Sequence, residues 1–69
     1  MTRRIDIKGE TIELVKLLKL SGLCSTGGMA KVAVDSSQVR VDGKTELRKR
    51  CKIRKGQSVA FDGHLIAVK

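Results

Sequence analysis

Residues 14–23, with the sequence LVKLLKLSGL, determine how the fold begins. Three leucines recur at the spacing that places them on one face of a helix: Leu14, Leu17 and Leu18. Gly22 suits the left-handed conformation that ends a helix, and Leu23 after it can pack back on the last turn. The stretch therefore predicts a helix over residues 11–20 that is buried through its leucines and closed by a glycine cap.

A second helix is expected directly after this cap. Ser25 is a favourable N-cap, and residues 35–37, Asp-Ser-Ser, provide the end. Four apolar residues are expected to form its buried side: Met29, Ala30, Val32 and Ala33. Lys31 is expected to face solvent. Because a turn of only about three residues separates the helices, they must pack against each other at a steep angle.

The remainder of the chain has the alternation of β-strands. Residues 38–42 alternate apolar and polar side chains. Two Asp-Gly pairs are strong signals for tight turns: Asp42-Gly43 and Asp62-Gly63. They predict a strand that ends at the first pair and a hairpin of residues 58–61 and 64–68 around the second. Lys55-Gly56 is expected to turn the chain before that hairpin.

The predicted fold class is α+β, with two short packed helices followed by a small, mainly antiparallel β-sheet. Sixty-nine residues suit one domain with a small core. We expect residues 1–69 to form this single domain in three parts. These are a lead-in with a brief strand over 1–9, a helix-turn-helix plus the first hairpin strand over 11–43, and the remaining strands over 44–69.

The composition is that of a folded and strongly basic protein. Apolar residues make up 41% of the chain, the formal net charge is +8 and the pI is about 10.1. No apolar run is long enough for a membrane span or a signal peptide, so we expect a cytoplasmic monomer without a membrane partner. Cys24 and Cys51 form no CxxC motif, which favours two reduced thiols over a disulfide.

Positive charge is concentrated in residues 40–55, which contain eight of the fifteen Lys and Arg residues, opposed there only by Asp42 and Glu46. If residues 45–53 form a strand, alternate side chains point the same way. One face would then carry Arg48, Arg50, Lys52 and Arg54, and the other would carry Leu47, Cys51 and Ile53. Cations spaced about 6.6 Å apart can follow a phosphate backbone, so a polyanion is the expected partner. The alternative is a solvated face that protects a sheet edge.

Two further features concern the ligand. Residues 25–28, Ser-Thr-Gly-Gly, open the second helix, where free N–H groups and the helix dipole can hold a phosphate. An equal alternative is a tight turn in which the crowded helices require small residues. Phe61 is the only aromatic residue, whereas proteins that bind single strands stack bases on several. The expected ligand is therefore structured RNA, recognised through phosphates, 2′-hydroxyls and shape.

Catalysis is not expected from this sequence. His64 follows a turn and has no Cys, Asp or Glu at a metal-binding spacing. The chain also shows no paired carboxylates, no arrangement of nucleophile and base, and no phosphate-binding loop of the P-loop type. We therefore expect neither catalytic residues, nor a metal, nor a cofactor.

Several short motifs occur together in the order of a known family. Residues 14–25, Ala30-Lys31 and residues 38–43 resemble the ribosomal-protein-S4-like RNA-binding domain, also called the alpha-L motif. Residues 48–53 and 56–59 resemble the small stand-alone bacterial members of this family, the YbcJ-like proteins. The resemblance covers about residues 11–69 and rests on the order and spacing of the motifs rather than on any one of them.

The resemblance implies RNA binding along the start of the second helix and the adjoining strands, with ribosomal or transfer RNA, and so the ribosome, as candidate partners. Many members have Arg directly after the serine of the interhelical turn, where this chain has Thr26. More of the binding is then expected from residues 48–52. The candidate RNA-binding residues are Ser25, Thr26, Lys31, Arg40, Lys44, Arg48, Lys49, Arg50, Lys52 and Arg54.

Two other functions are compatible with the sequence. The short helices resemble a helix-turn-helix, which would suggest duplex DNA, but the second helix offers few side chains that could contact base edges. A module that binds an acidic protein partner would also explain the basic surface. Competition between RNA and DNA duplexes tests the first alternative, and nuclease treatment of bound partners tests the second.

Overall fold

The computed structural model describes residues 2–69, which form two helices and seven strands. In chain order these are β1 (Thr2–Ile5), β2 (Thr11–Glu13), α1 (Leu14–Leu20), α2 (Gly27–Asp35), β3 (Val39–Val41), β4 (Lys44–Thr45), β5 (Lys52–Arg54), β6 (Ser58–Phe61) and β7 (His64–Val68). The predicted α+β class, with two helices and a mainly antiparallel sheet, is confirmed. Two strands precede the helices, however. Met1, the first residue of the predicted lead-in, lies outside the described residues.

The larger sheet has five strands in the order β1-β7-β6-β3-β4. β1 is parallel to β7, and the other neighbours are antiparallel. Both predicted Asp-Gly turns are confirmed by positive φ angles, 51° and 83° at Asp42-Gly43 and 51° and 77° at Asp62-Gly63. Positive φ at both central residues is the turn whose twist suits a two-residue hairpin. The hairpin of β6 and β7 has the predicted bounds.

A separate two-stranded sheet pairs β2 with β5, and Ile12 lies opposite Ile53. The predicted helix over residues 11–20 is therefore wrong in its first turn, since α1 begins at Leu14 and residues 11–13 are extended. Thr11 and Ile12 are β-branched and suit a strand. Their pairing partner is distant in the sequence, so helical periodicity could not reveal it.

The end of α1 has the predicted glycine cap. Gly22 has φ 82°, and its N–H donates to the carbonyl of Lys19 at 3.1 Å. The carbonyl of Leu18 accepts from the Cys24 N–H at 3.2 Å and from the Ser21 hydroxyl at 2.8 Å. The carbonyl groups at the helix end are thus satisfied locally. The connection to α2 spans residues 21–26 and is longer than expected.

The second helix differs from the prediction in its start and in its buried face. Its N-cap is Thr26 rather than Ser25, and the Thr26 Oγ1 accepts from the Met29 N–H at 3.1 Å. The buried residues are Ala30, Ala33 and Val34. Met29 and Val32 were expected inside but are 52% and 63% exposed. The buried face of α2 therefore contains Val34 in place of Met29 and Val32. Its two alanines are small and let the helix approach the core closely.

The core joins both helices to strands of both sheets. It contains Ile7, Leu14, Leu17, Leu18, Cys24, Ala30, Ala33, Val34, Val39, Ile53, Val59, Ile66 and Val68. The predicted core leucines of α1 are fully buried, whereas Phe61 is only partly buried at the edge of the cluster. None of the helices formed by residues 2–69 has the length and apolar character needed to cross a membrane.

Candidate nucleic-acid interface

Residues 46–51, which we call the basic loop, connect β4 to β5 and do not form the strand expected over residues 45–53. Lys49 and Arg50 lie in a turn, and the Cys51 N–H donates to the carbonyl of Arg48 at 3.1 Å. The expected single row of four cations on one strand face is therefore wrong. Leu47, expected on the inner side, is 57% exposed. The alternation holds only in β5, where Ile53 is buried between exposed neighbours.

Glu46 organises the first half of the basic loop. Its Oε2 accepts from the backbone N–H groups of Leu47 and Arg48, at 3.1 and 3.2 Å, and from the Nε of Arg48 at 3.2 Å. Its Oε1 accepts from the Nη2 of Arg48 at 3.0 Å. These bonds, those from the Arg48 side chain above all, lower the pKa of Glu46 to about 2, and Glu46 in turn raises the pKa of Arg48. Arg48 is thereby partly neutralised.

The second half of the basic loop is held against both helices. The Nζ of Lys49 lies 3.0 Å from the Oδ2 of Asp35 at the end of α2. The backbone of the loop accepts from the start of α1, because the Val15 N–H donates to the carbonyl of Lys49 at 3.3 Å and the Leu14 N–H to that of Cys51 at 2.8 Å. Within residues 2–69, carboxylates form salt bridges with only two of the eight cations of residues 40–55, Arg48 and Lys49.

A groove lies on the helical side of the basic loop, and we call it the helix groove. Its cations come from α1, α2 and the loop: Lys16, Lys31, Lys49 and Arg50. Glu13 and Asp35 also line it, and Leu47 adds an apolar side chain. The four cations thus outnumber the two carboxylates, one of which is already paired with Lys49.

A second groove lies on the other side of the basic loop, and we call it the strand groove. Its cations are Lys44, Arg48, Lys52 and Arg54. Its carboxylates, Asp42 and Glu46, are both occupied by hydrogen bonds. Asp42 accepts from the Ser58 N–H at 3.0 Å and from the Nε2 of Gln57 at 2.9 Å, and these bonds hold the pKa of Asp42 below its usual value. The groove therefore offers a ligand three cations without a salt bridge, Lys44, Lys52 and Arg54, beside the paired Arg48.

Three of the predicted site residues lie elsewhere. Arg40 lines a different concavity, with residues 60–63 of the second hairpin. The Oγ1 of Thr26 is used as the helix N-cap, and the Oγ of Ser25 lies 3.0 Å from the Sδ of Met29. The remaining seven line the two grooves beside the basic loop: Lys31, Lys44, Arg48, Lys49, Arg50, Lys52 and Arg54.

Lys16 is a candidate residue that the sequence prediction missed. It is exposed on α1 and lines the helix groove with Lys31 and Arg50. Its position on the face of α1 opposite the buried leucines was visible in the helical periodicity. The sequence does not show where the basic loop lies, because only the fold places residues 49 and 50 next to α1.

The described residues hold no group of three or more His, Cys, Asp or Glu side chains arranged to bind a metal. Both cysteines are free, and burial raises the pKa values of the Cys24 and Cys51 thiols. Cationic side chains thus line two grooves around the basic loop, and phosphate groups are the ligands that such an arrangement can hold.

Comparison with known proteins gives consistent matches along the chain. The S4 domain family matches residues 5–69. YbcJ of Escherichia coli (strain K12), named as a proposed RNA-binding protein, is 53% identical over 57 residues, which cover 83% of this chain and 81% of YbcJ. YbcJ of Shigella flexneri, whose name gives no function, matches with the same identity and coverage.

The fold agrees with a solved structure of the same relative. The solution structure of Escherichia coli YbcJ superimposes with a TM-score of 0.70 and 48% identity, covering 97% of this chain and 84% of that one. That structure was described as an alfaL motif involved in RNA binding. The match over residues 5–69 and the identity to both relatives lead to one conclusion: this chain belongs to the S4 domain family.

Proposed function

We propose that this chain binds structured RNA, ribosomal or transfer RNA in particular, through the two grooves beside the basic loop. In this proposal it acts without catalysis, as a cytoplasmic monomer that can associate with the ribosome. Membership of the S4 domain family supports the proposal, as does the RNA-binding role given to the alfaL motif of YbcJ.

The observation that carries the proposal is the placement of eight cations around one loop whose backbone is held by hydrogen bonds. Four line the helix groove and four line the strand groove: Lys16, Lys31, Lys49 and Arg50, and Lys44, Arg48, Lys52 and Arg54. Phosphate contacts of this kind position a protein on nucleic acid without reading its sequence. Two cationic grooves separated by a loop match a folded RNA, in which backbone segments approach each other, better than one extended strand.

The nature of the side chains supports structured RNA over single strands. Phe61, the only aromatic residue, is partly buried against the core and cannot offer a stacking platform of several rings. Recognition then depends on phosphates, 2′-hydroxyls and the shape of the folded RNA. The proposed residues remain those of the two grooves, with Ser25, Thr26 and Arg40 as a second, more distant set.

A salt titration tests the proposal directly. Affinity for a folded RNA, measured by fluorescence anisotropy, should fall linearly on a plot of log K against log salt concentration. If about five cations contact phosphates, the slope should lie near −3.5 to −4.5. A slope near zero would reject electrostatic binding by the grooves. A matched DNA duplex in competition should bind more weakly, and equal competition would favour the DNA-binding alternative.

Charge-matched variants locate the interface. Arg50→Ala should weaken binding to every folded RNA about five- to tenfold and reduce the magnitude of the salt slope by about 1. Arg4→Ala removes the same charge from exposed β1, at the opposite edge of the five-stranded sheet from β4. It should leave both affinity and slope nearly unchanged. Equal effects of the two variants would show that only net charge matters and would contradict the site.

The identity of the RNA is tested in cells. Crosslinking followed by sequencing of the bound RNA should recover ribosomal or transfer RNA, and the signal should fall in the Arg50→Ala variant. A protein partner that remains bound after nuclease treatment, with no RNA crosslinked, would instead support the protein-interaction alternative.

A further inference from the structure

Leu47 is an unusual side chain for its position. It lies inside the basic loop, follows Glu46 directly and precedes three consecutive cations. It is 57% exposed, and it lines the helix groove beside Lys49 and Arg50. Exposed single leucines are common on protein surfaces and need no explanation by themselves. This one, however, lines a groove whose cations are suited to phosphates.

The exposure of Leu47 is imposed by the loop. The Leu47 N–H donates to the Oε2 of Glu46 at 3.1 Å, and the same oxygen accepts from the Arg48 N–H. The Glu46 N–H is bound to the carbonyl of Val39 at 3.0 Å, and the far side of the loop is bound to α1 at Lys49 and Cys51. Hydrogen bonds on both sides therefore hold the backbone at Leu47 in a conformation in which its side chain is exposed.

We propose that Leu47 packs against the exposed face of an unpaired base that is bulged from a helix of the bound RNA. The proposal rests on the RNA-binding function proposed above and adds a preference within it. The cations on either side would hold the phosphates that flank this nucleotide. Lys49 and Arg50 would do so from the helix groove, and Arg48 from the strand groove.

The apolar character of the Leu47 side chain favours the face of a base as its contact. Leucine offers no hydrogen bond, so it gains by covering apolar surface and loses by covering polar groups. The accessible minor groove of an RNA duplex displays 2′-hydroxyls and base edges, which are polar. The face of a base at a bulge, junction or helix end is flat, largely apolar and not covered by a neighbouring pair. Leucine is also among the side chains that insert beside unstacked bases in nucleic-acid complexes.

A pair of matched RNA hairpins tests the preference. Both hairpins have the same loop and helix end; one has a fully paired stem, and the stem of the other carries a single bulged 2-aminopurine, whose fluorescence reports its environment. The wild-type protein should bind the bulged hairpin about tenfold more tightly, as expected for covering one apolar side chain, and should change the 2-aminopurine fluorescence. Leu47→Ala should reduce the preference to less than about threefold. Leu47→Met, similar in size and apolar character, should retain it.

The salt dependence separates this proposal from the one on which it rests. Leu47→Ala should leave the salt slope unchanged, because no charge is removed, and should weaken binding of the fully paired hairpin much less than binding of the bulged one. If Leu47→Ala keeps the full preference for the bulge, or if the wild type shows none, the contact with a base is wrong while RNA binding stands. If both hairpins bind with a slope near zero, the proposed function itself fails. Retention of all RNA affinities by Leu47→Ala would overturn the proposal and point to a protein contact.

Discussion

The β6–β7 hairpin and the basic loop were both predicted to be extended, yet only the hairpin is built of strands. In the hairpin, Asp62-Gly63 forms the turn and the flanking residues pair directly across it, from Phe61 opposite His64 to Ser58 opposite Ala67. Residues 46–51, which were also predicted to lie in a strand, instead form a loop with a turn. The difference lies in whether each segment has a pairing partner of matching length.

Two features prevent a strand in the basic loop. The carboxylate of Glu46 accepts the N–H groups of Leu47 and Arg48, so these donors are occupied locally. The partner of β5 is β2, which has only three residues before α1 begins, so the ladder has no room to continue backward. The local sequence shows that a segment can be a strand, whereas the available partner decides whether it is one.

The largest expected effect comes from removing the anchor that joins the basic loop to the core. Ile53 of β5 is fully buried. Ile53→Ala should lower the free energy of unfolding by about 2–4 kcal/mol, because transfer energy is lost and a cavity is left. Urea denaturation followed by far-ultraviolet circular dichroism measures this, since the chain lacks Trp and Tyr.

A matched control is available on α1. Leu20 is 61% exposed, so Leu20→Ala removes a similar apolar side chain from the surface. It should change the free energy of unfolding by less than about 0.5 kcal/mol. Comparable losses in the two variants would mean that β5 does not anchor the loop through Ile53.

The second effect concerns the tight turns that made the hairpins predictable. Gly43 has φ 83°, and no atom would lie within 4 Å of an added Cβ. Gly43→Ala should therefore cost about 1–2 kcal/mol through backbone strain alone, without a steric clash. Thermal unfolding by circular dichroism gives the difference.

The same Gly-to-Ala substitution in α2 should have the opposite effect on stability. Gly27 opens the helix, its φ is not in the left-handed region, and an added Cβ would also meet nothing within 4 Å. Gly27→Ala should stabilise the protein by up to about 1 kcal/mol, because the unfolded chain loses freedom. Destabilisation by Gly27→Ala similar to that of Gly43→Ala would contradict the assignment of strain to the turn.

Much of the fold followed from local patterns. The leucine spacing gave the buried face of α1, Gly22 marked its end, and the two Asp-Gly pairs set the hairpins. These features depend on residues close in the sequence, so their chemistry is visible there. The parts that were wrong depend on distant partners. β2 is extended only because β5 lies beside it, and Met29 is exposed because α2 turns its smaller side chains to the core.

The candidate site was predictable in composition and not in shape. The concentration of charge in residues 40–55 was plain, and seven of the ten predicted residues line the two grooves. The division of these residues into two grooves could not be predicted, because it depends on the conformation of the loop between them. Nor could the sequence show that Asp35 pairs with Lys49 or that Lys16 joins the surface, since helix and loop are brought together only by the fold.

The third effect is a pH dependence of the stability that arises from Glu46 in the basic loop. The pKa of Glu46 is lowered from 4.5 to about 2 in the folded protein, above all by Arg48. A lowered carboxyl pKa contributes stability above the unfolded value, and this stability is lost as the pH falls from 4.5 toward 2. Glu46→Gln should therefore reduce the stability at pH 7 by about 1 kcal/mol, a value discounted for solvent screening.

The stabilities of wild type and Glu46→Gln should differ less at acidic pH. The difference in unfolding free energy between wild type and Glu46→Gln should shrink as the pH is lowered through this range, because the unfolded carboxyl takes up a proton below its pKa of 4.5 whereas the folded carboxyl stays charged until the pH approaches 2. Chemical denaturation at pH 7, 5, 4 and 3 follows it. A difference that stays constant down to pH 3 would show that Glu46 acts through its neutral hydrogen bonds and not through its charge.

The smallest effect is expected from the salt bridge between Lys49 and Asp35. The two side chains are 42% and 56% exposed, and exposed pairs contribute little because water and salt screen them. The backbone bonds to Val15 and Leu14 hold the loop at the same place without any charge. A double-mutant cycle with Lys49→Ala and Asp35→Ala should therefore give a coupling energy below about 0.5 kcal/mol that decreases further with added salt. A coupling above about 1 kcal/mol would mean that this ion pair, rather than the backbone, fixes the basic loop against the helices. The hairpin and the loop would then differ in their source of order as well as in their shape.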